Sequence, residues 1–132
     1  MTKSKHPSVL LSIKPHWVNA ILSGQKNWEY RRTPPAQQPP YDLLLYATAP
    51  TSAIVGEATV RDVKQGAIDT VVDATIQETP HSKPDLIEYF DGRDLGSALH
   101  LVDPVEYPRP INLDVFAINR PPQNFQYLER RR

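Results

Sequence analysis

At 132 residues, with 39% hydrophobic residues and two tryptophans, the chain has the material for one domain with one core and too little for a second. It has no cysteine, which excludes a disulfide framework, a thiolate zinc site and a cysteine nucleophile. Fourteen prolines, about twice the ordinary share, predict many stiff loops, and a formal net charge of zero lacks the basic excess usual in nucleic-acid binders.

VLLSIK (Val9 to Lys14) alternates, with Val9, Leu11 and Ile13 on one face, and is predicted as the first strand. Pro15 then stands where a proline opens a helix. Trp17, Ala20 and Ile21 follow at helical spacing, and Gly24 is the stop. NWEYRR is predicted as a strand with Trp28 and Tyr30 on one face and Asn27, Glu29 and Arg31 on the other. The four prolines of TPPAQQPPYD (Thr33 to Asp42) keep that segment out of a central sheet and make it a stiff surface loop. Such a loop either closes over a neighbouring cleft or lies apart from it.

LLLYAT (Leu43 to Thr48) is a continuous apolar run of strand length, which predicts burial on both faces. A longer strand follows from Ala53 to Val63, with Gly56 where a bulge or sharp coil suits a barrel. Ile68, Val71, Val72 and Ile76 predict a short amphipathic helix, and HSKPDLIEYFDG a second, with Pro84 at its start and Gly92 past its end. Ser97 to Asp103 is a further strand, while VEYPRPI (Val105 to Ile111) is proline-broken and belongs at an edge or bulge. Asn112 is placed to cap a short helix through LDVFAI, and the terminal NRPPQNFQYLERRR has no regular period. Helices do not alternate with strands, which argues against a doubly wound parallel sheet. The expectation is one α+β domain over residues 1–132: a small, mostly antiparallel β-barrel of five or six strands with short helices at its ends.

The charges are unevenly spread. Residues 1–32 carry six Lys and Arg against one acid, residues 33–108 four against twelve, and residues 109–132 five against two. A fold that brings both ends together would give this neutral chain a basic face that attracts phosphate. The plainer alternative is that mixed charges only solubilise the surface. No apolar run approaches the roughly 20 residues of a membrane span, and MTKSKHPS carries no secretory-signal pattern. A soluble cytoplasmic protein with no membrane partner is expected.

GQKNWEYRR (Gly24 to Arg32) gathers the candidate chemistry. Lys26 falls in the turn, and Glu29 and Arg31 share one side of the strand. With Trp28 and Tyr30 packed inward, the charged side chains face solvent or a cleft. A carboxylate flanked by two cations keeps its charge and orients both, or accepts a proton from a bound group; as an exposed salt-bridge cluster the same residues would be worth little. Lys14, just before the Pro15 helix, suits an anion together with the free amides of the helix start. Trp17 is either core or a stacking platform. Glu57, mid-strand beside Gly56, either faces outward or lines the barrel with Arg31 or Lys14 as its cation partner. His6, His16, His81 and His100 show no ligand spacing, so neither a metal site nor a cofactor is expected, and no phosphate loop or Ser-His-Asp order is present.

SIKPHWVNAILSGQKNWEYRR, IVGEATV, IEYFDG and PPQNFQYL together resemble an ASCH domain, a family of the PUA-like superfamily, from about Ser12 to Leu128. The family motif GxKxxExR is matched by Gly24, Lys26, Glu29 and Arg31. The resemblance implies a small barrel whose cleft beside the first helix binds RNA or nucleotides, with Lys26, Glu29 and Arg31 lining it. It also implies that PPQNFQYL returns beside the cleft, with Gln123 and Tyr127 near Lys26 and the basic tail, Arg130 to Arg132, near the basic N-terminal segment. Some small bacterial members are amidohydrolases that deacetylate acetylcytidine with a lysine, a threonine three residues on and a glutamate of the helical insert. Lys26 matches that lysine, Glu29 stands in the threonine's place, and the third member is Glu78 or Glu88.

The leading expectation is an RNA- or modified-nucleotide-binding protein using Lys14, Trp17, Lys26, Glu29, Arg31, Glu57, Gln123 and Tyr127, combining phosphate contacts with stacking. One alternative is a small metal-free amidohydrolase of an acylated nucleoside, in which Lys26 or Glu29 activates water and Arg31 stabilises an oxyanion. The other is a protein-interaction module with the charged cleft as its docking surface.

Overall fold

The structure is a computed structural model and describes residues 6–128. Six strands form one sheet in the order β2-β5-β4-β3-β1-β6: β1 (Ser8–Ile13), β2 (Trp28–Arg31), β3 (Tyr41–Ala47), β4 (Ala53–Ala67), β5 (Leu95–Ile111) and β6 (Phe125–Leu128). Helix α1 (Pro15–Leu22) joins β1 to β2, while α2 (Ile68–Thr75), a 3₁₀ turn (Ile76–Glu78) and α3 (Lys83–Tyr89) lie between β4 and β5. The β1–β3 pair is parallel and the other four pairs are antiparallel.

The α+β, mostly antiparallel class agrees with the sequence expectation, but the barrel does not: the sheet is open, with β2 and β6 at its edges. Both edge strands are only four residues long. The Arg31 side chain, reaching Ser12 and Asn124, spans from one edge strand to the other side of the sheet where ladder bonds would have closed a barrel.

Burial explains the central strands. Val9, Leu11 and Ile13 of β1 and Leu43 and Leu45 of β3 pack with Val18 and Ile21 of α1 in one cluster. The intervening Leu10, Leu44 and Tyr46 pack on the opposite face with Ile54 and Ile118. The continuous apolar run of β3 is therefore buried on both faces, as its composition predicts. A third cluster joins Trp28 and Tyr30 of β2 to Val71 and Val72 of α2 and to Leu86 and Phe90 at α3.

The segments read separately as Ser97 to Asp103 and Val105 to Ile111 are one 17-residue strand. Register with β4 skips Asp103 and Pro104 and then Tyr107 to Pro110, so prolines that cannot donate to a ladder fall in its irregularities. Gly56 lies at one of these shifts, where an added Cβ would stand 2.5 Å from the Val105 carbonyl oxygen. The C-terminal segment, without period in the sequence, supplies β6; four residues are too few for alternation to register. Asn112 precedes a 3₁₀ turn, Leu113–Phe116, without a side-chain capping bond. No described helix is long and apolar enough to cross a membrane.

Candidate functional site

Helix α1 ends at a glycine that reverses the chain. Gly24 has φ +85°, a conformation glycine adopts without Cβ strain. The amides of Gln25 and Lys26 both bond back to the Ala20 carbonyl, over 2.9 and 3.0 Å. The turn folds Lys26 inward, and the residue is only 2% exposed. Its Nζ donates to the Trp28 carbonyl (2.7 Å) and to His81 Nε2 (2.8 Å), and lies 3.3 Å from Glu29 Oε1. Three partners match the three protons of an ammonium.

Glu29 and Arg31 share a side of β2, as alternation predicts, yet neither faces solvent. Glu29 is 7% exposed, and its Oε2 accepts from Arg31 Nη2 (2.6 Å) and Nε (3.0 Å). Arg31 also donates to the Ser12 carbonyl (3.0 Å) and to Asn124 Oδ1 (2.8 Å). Four of its five N–H groups' bonds thus go to protein acceptors, and this guanidinium serves chiefly to brace the site.

Electrostatics follow from burial. Desolvation pushes the Lys26 pKa down, and the Glu29 carboxylate only partly restores it. Burial alone would raise Glu29, but the charges of Lys26 and Arg31 outweigh it and hold that carboxyl below its ordinary value. Burial, with the Lys26 charge added, lowers His81 to about 4. At neutral pH the site therefore holds a neutral imidazole beside the Glu29 carboxylate and the side chains of Lys26 and Arg31.

A cleft of about 290 Å³ opens beside these groups. Lys26, Glu29 and Arg31 line it, together with Lys14 and the rings of Trp17, Tyr30, His81 and Tyr89. The Trp17 ring has His16 on one contact (4.2 Å between centroids) and His81 on another (4.1 Å). Lys26 Nζ lies 5.2 Å from the Tyr30 ring centre, near enough for a cation–π contact. Arg32, exposed next door, stacks its guanidinium 4.3 Å over Tyr89.

Five of the eight predicted binding residues meet here: Lys14, Trp17, Lys26, Glu29 and Arg31. Glu57 is elsewhere, accepting from the Tyr107 hydroxyl over 2.6 Å, so its expected partnership with Arg31 or Lys14 is replaced by a short bond to a tyrosine on β5. Gln123 is exposed and does not line the cleft; the next residue, Asn124, reaches Arg31 instead. Tyr127 is 51% exposed and its hydroxyl accepts from the Ala36 amide (2.8 Å). It thus ties β6 to the Pro-rich loop, which lies along β6 and β4 and does not line the cleft. Glu78 accepts from Trp28 Nε1 (3.2 Å) in an adjoining groove, and Glu88 lies on another surface with Lys83 and Asp91. The acid that the helical insert does bring to the cleft is Asp85. Arg130 to Arg132 lie outside the described residues. His81, Asp85, Tyr89 and Asn124 carried no sequence signal for this site, except that Asn124 adjoins the PPQ segment expected nearby. Among the described residues, no three His, Asp or Glu side chains converge as a metal site.

The ASCH domain family matches over residues 11–104. The chain belongs to the ASCH domain family. An ASCH domain-containing ribonuclease of Zymomonas mobilis is 32% identical over 127 residues, covering 92% of this chain and 84% of that protein. The crystal structure of ASCH from Zymomonas mobilis superimposes with a TM-score of 0.85 at 31% identity, covering 92% of this ASCH chain and 87% of that one. The large ribosomal subunit protein uL22 of Ureaplasma parvum is 27% identical over 123 residues, which is 92% of this chain but 39% of that protein.

Proposed function

We propose that this ASCH protein acts on RNA by holding one nucleotide of a single strand in the cleft beside α1. The observation that carries this is the pairing of aromatic walls, Trp17, Tyr30 and Tyr89, with a buried ammonium, Lys26, in a space of about 290 Å³, close to the lower end of small-ligand cavities. Single-stranded RNA is recognised by stacking its unpaired bases and bonding their edges. Lys14, exposed at the mouth, supplies the phosphate contact, while Lys26 is spent on groups inside. The ribonuclease relative supports cleavage of the strand as the reaction that accompanies binding.

The amidohydrolase alternative has less support. Glu29 receives bonds from both cations and binds a proton weakly, and Arg31 is committed to Glu29, Ser12 and Asn124. Neither arrangement favours activating water or stabilising an oxyanion.

The test is binding of a fluorescent single-stranded RNA across a salt series, followed by cleavage on a gel. Affinity should fall steeply with salt, and Lys14→Ala should reduce the slope of the log–log plot by roughly 0.7, the share of one phosphate contact on a single strand. No binding at low salt would remove RNA and favour a protein partner. Release of cytidine from acetylcytidine, with RNA left intact, would restore the amidohydrolase.

A further inference from the structure

His81 enters the cleft from the short connection between the 3₁₀ turn and α3, whereas the groups it touches stand on α1, β2 and the turn between them. Its ring lies 4.1 Å from the Trp17 ring, tilted by 46°, and meets Tyr30 edge-on at 5.7 Å and 81°. Its Nε2 is 2.8 Å from Lys26 Nζ. A planar heteroaromatic ring lying tilted on one aromatic wall and edge-on to another, with one edge nitrogen on the lysine, fills the space between those walls that a base would need in order to stack there.

The hydrogen-bond inventory fixes the roles. A charged lysine only donates, so Nε2 accepts and the ring proton sits on Nδ1. In this arrangement no imidazole nitrogen is free to take a proton, so His81 does not act as a general base while it is bonded to Lys26. Of the three Lys26 partners, the Trp28 carbonyl and the Glu29 carboxylate belong to β2. The third, His81, is a side chain on a connecting segment. An entering acceptor can replace it and leave the buried ammonium fully bonded, which avoids the large cost of an unpaired buried charge.

We propose that the His81 imidazole occupies the base position of the cleft in the absence of RNA, and that a nucleobase displaces it by stacking on Trp17 and presenting a carbonyl oxygen or ring nitrogen to Lys26 Nζ. This rests on the RNA-binding role proposed above and defines how the ligand is recognised. The base enters acceptor edge first, and its sugar and phosphate stay at the mouth near Lys14. His81 is then a specificity-determining residue, because a ligand must outcompete a ring that already satisfies Lys26.

The test uses the full chain labelled with ¹⁵N-histidine, a uridine tetranucleotide as probe and its abasic counterpart as control. The tetranucleotide should move the His81 Nε2 resonance away from its hydrogen-bonded position, and the abasic strand should not. His81→Ala should bind the tetranucleotide roughly tenfold more tightly, about the worth of one hydrogen bond to a charged group, and imidazole should compete with RNA in that variant. His81→Phe, which keeps a ring and removes the acceptor, should change affinity in the same direction and serves if the alanine variant fails to fold. RNA bound with the Lys26–His81 bond intact, or variants that bind no more tightly than the native chain, overturns the displacement and leaves the RNA-binding role standing. Failure of the tetranucleotide to bind the native chain and the variants alike overturns both.

Discussion

Arg31 Nη1 donates to Asn124 Oδ1 over 2.8 Å across 93 residues of sequence, joining edge strand β2 to the start of edge strand β6. The Asn124 carbonyl also accepts from the Ser12 amide over 3.2 Å, and Ser12 in turn bonds Arg31 and Pro122. One guanidinium thus links three strands at the open side of the sheet.

Asn124→Ala should therefore destabilise the chain by about 1.5–3 kcal/mol, the range for a hydrogen bond to a charged group. Denaturant unfolding reads this directly, and an unchanged midpoint would show that the bracing bond is worth nothing.

Removing one member of the buried charge cluster should cost more. Lys26→Met leaves Glu29 still paired with Arg31, whereas Glu29→Gln leaves the buried Lys26 and the half-buried Arg31 without their carboxylate. Loss of one partner from a buried pair costs about 3–5 kcal/mol. Glu29→Gln should be the more damaging of the two, and the reverse order in unfolding experiments would contradict the arrangement of charges described above.

Acid should destabilise the fold in two steps of the same sign. His81 is held at about 4 against an ordinary 6.5, so the unfolded chain takes up a proton that the folded chain refuses. Its contribution is complete above pH 6.5 and is lost as pH falls toward 4. Glu29, also depressed, contributes above its ordinary 4.5 and loses that contribution as pH falls through its folded value. Tm should fall between pH 6.5 and 4, and His81→Phe should flatten that part of the curve; a native Tm level over this span would count against a half-buried, neutral His81.

Trp17→Ala should weaken single-stranded RNA binding by about 1–3 kcal/mol, the worth of one base stacked on an aromatic. Trp17→Phe should recover part of it. Equal affinity in all three proteins, measured by fluorescence anisotropy, would remove Trp17 as the stacking platform.

Gly56→Ala tests the fold rather than the site. Its Cβ would stand 2.5 Å from the Val105 carbonyl oxygen and 2.9 Å from a Leu22 methyl. A loss of about 1–3 kcal/mol is expected for overpacking at a strand crossing that cannot relax. An unaffected Tm would mean that β5 shifts freely there.

Local rules carried far along this chain. Period, proline and glycine positions placed β1, α1, β2, β3 and the two insert helices within a few residues, because each depends on neighbours in sequence. The spacing of Glu29 and Arg31 put both on one side of β2, and the family motif singled out Lys26 with them. The long-range partners were not legible. His81 lies 55 residues from Lys26 in a polar stretch with no period, and Asn124 is one ordinary amide near the C-terminal end.

Composition and pattern by themselves determined an α+β chain without thiol chemistry, its order of elements, and a charged cluster after the first helix. Only the tertiary structure decided that the sheet stays open, that Lys26 is buried rather than solvated in its turn, and that Glu57 and Tyr127 turn elsewhere. The reason is physical: a side chain's exposure is set by what the rest of the chain lays over it. In GQKNWEYRR that cover is α1 on one side and the segment carrying His81 on another, which turns an apparent surface ion cluster into the floor of a cleft.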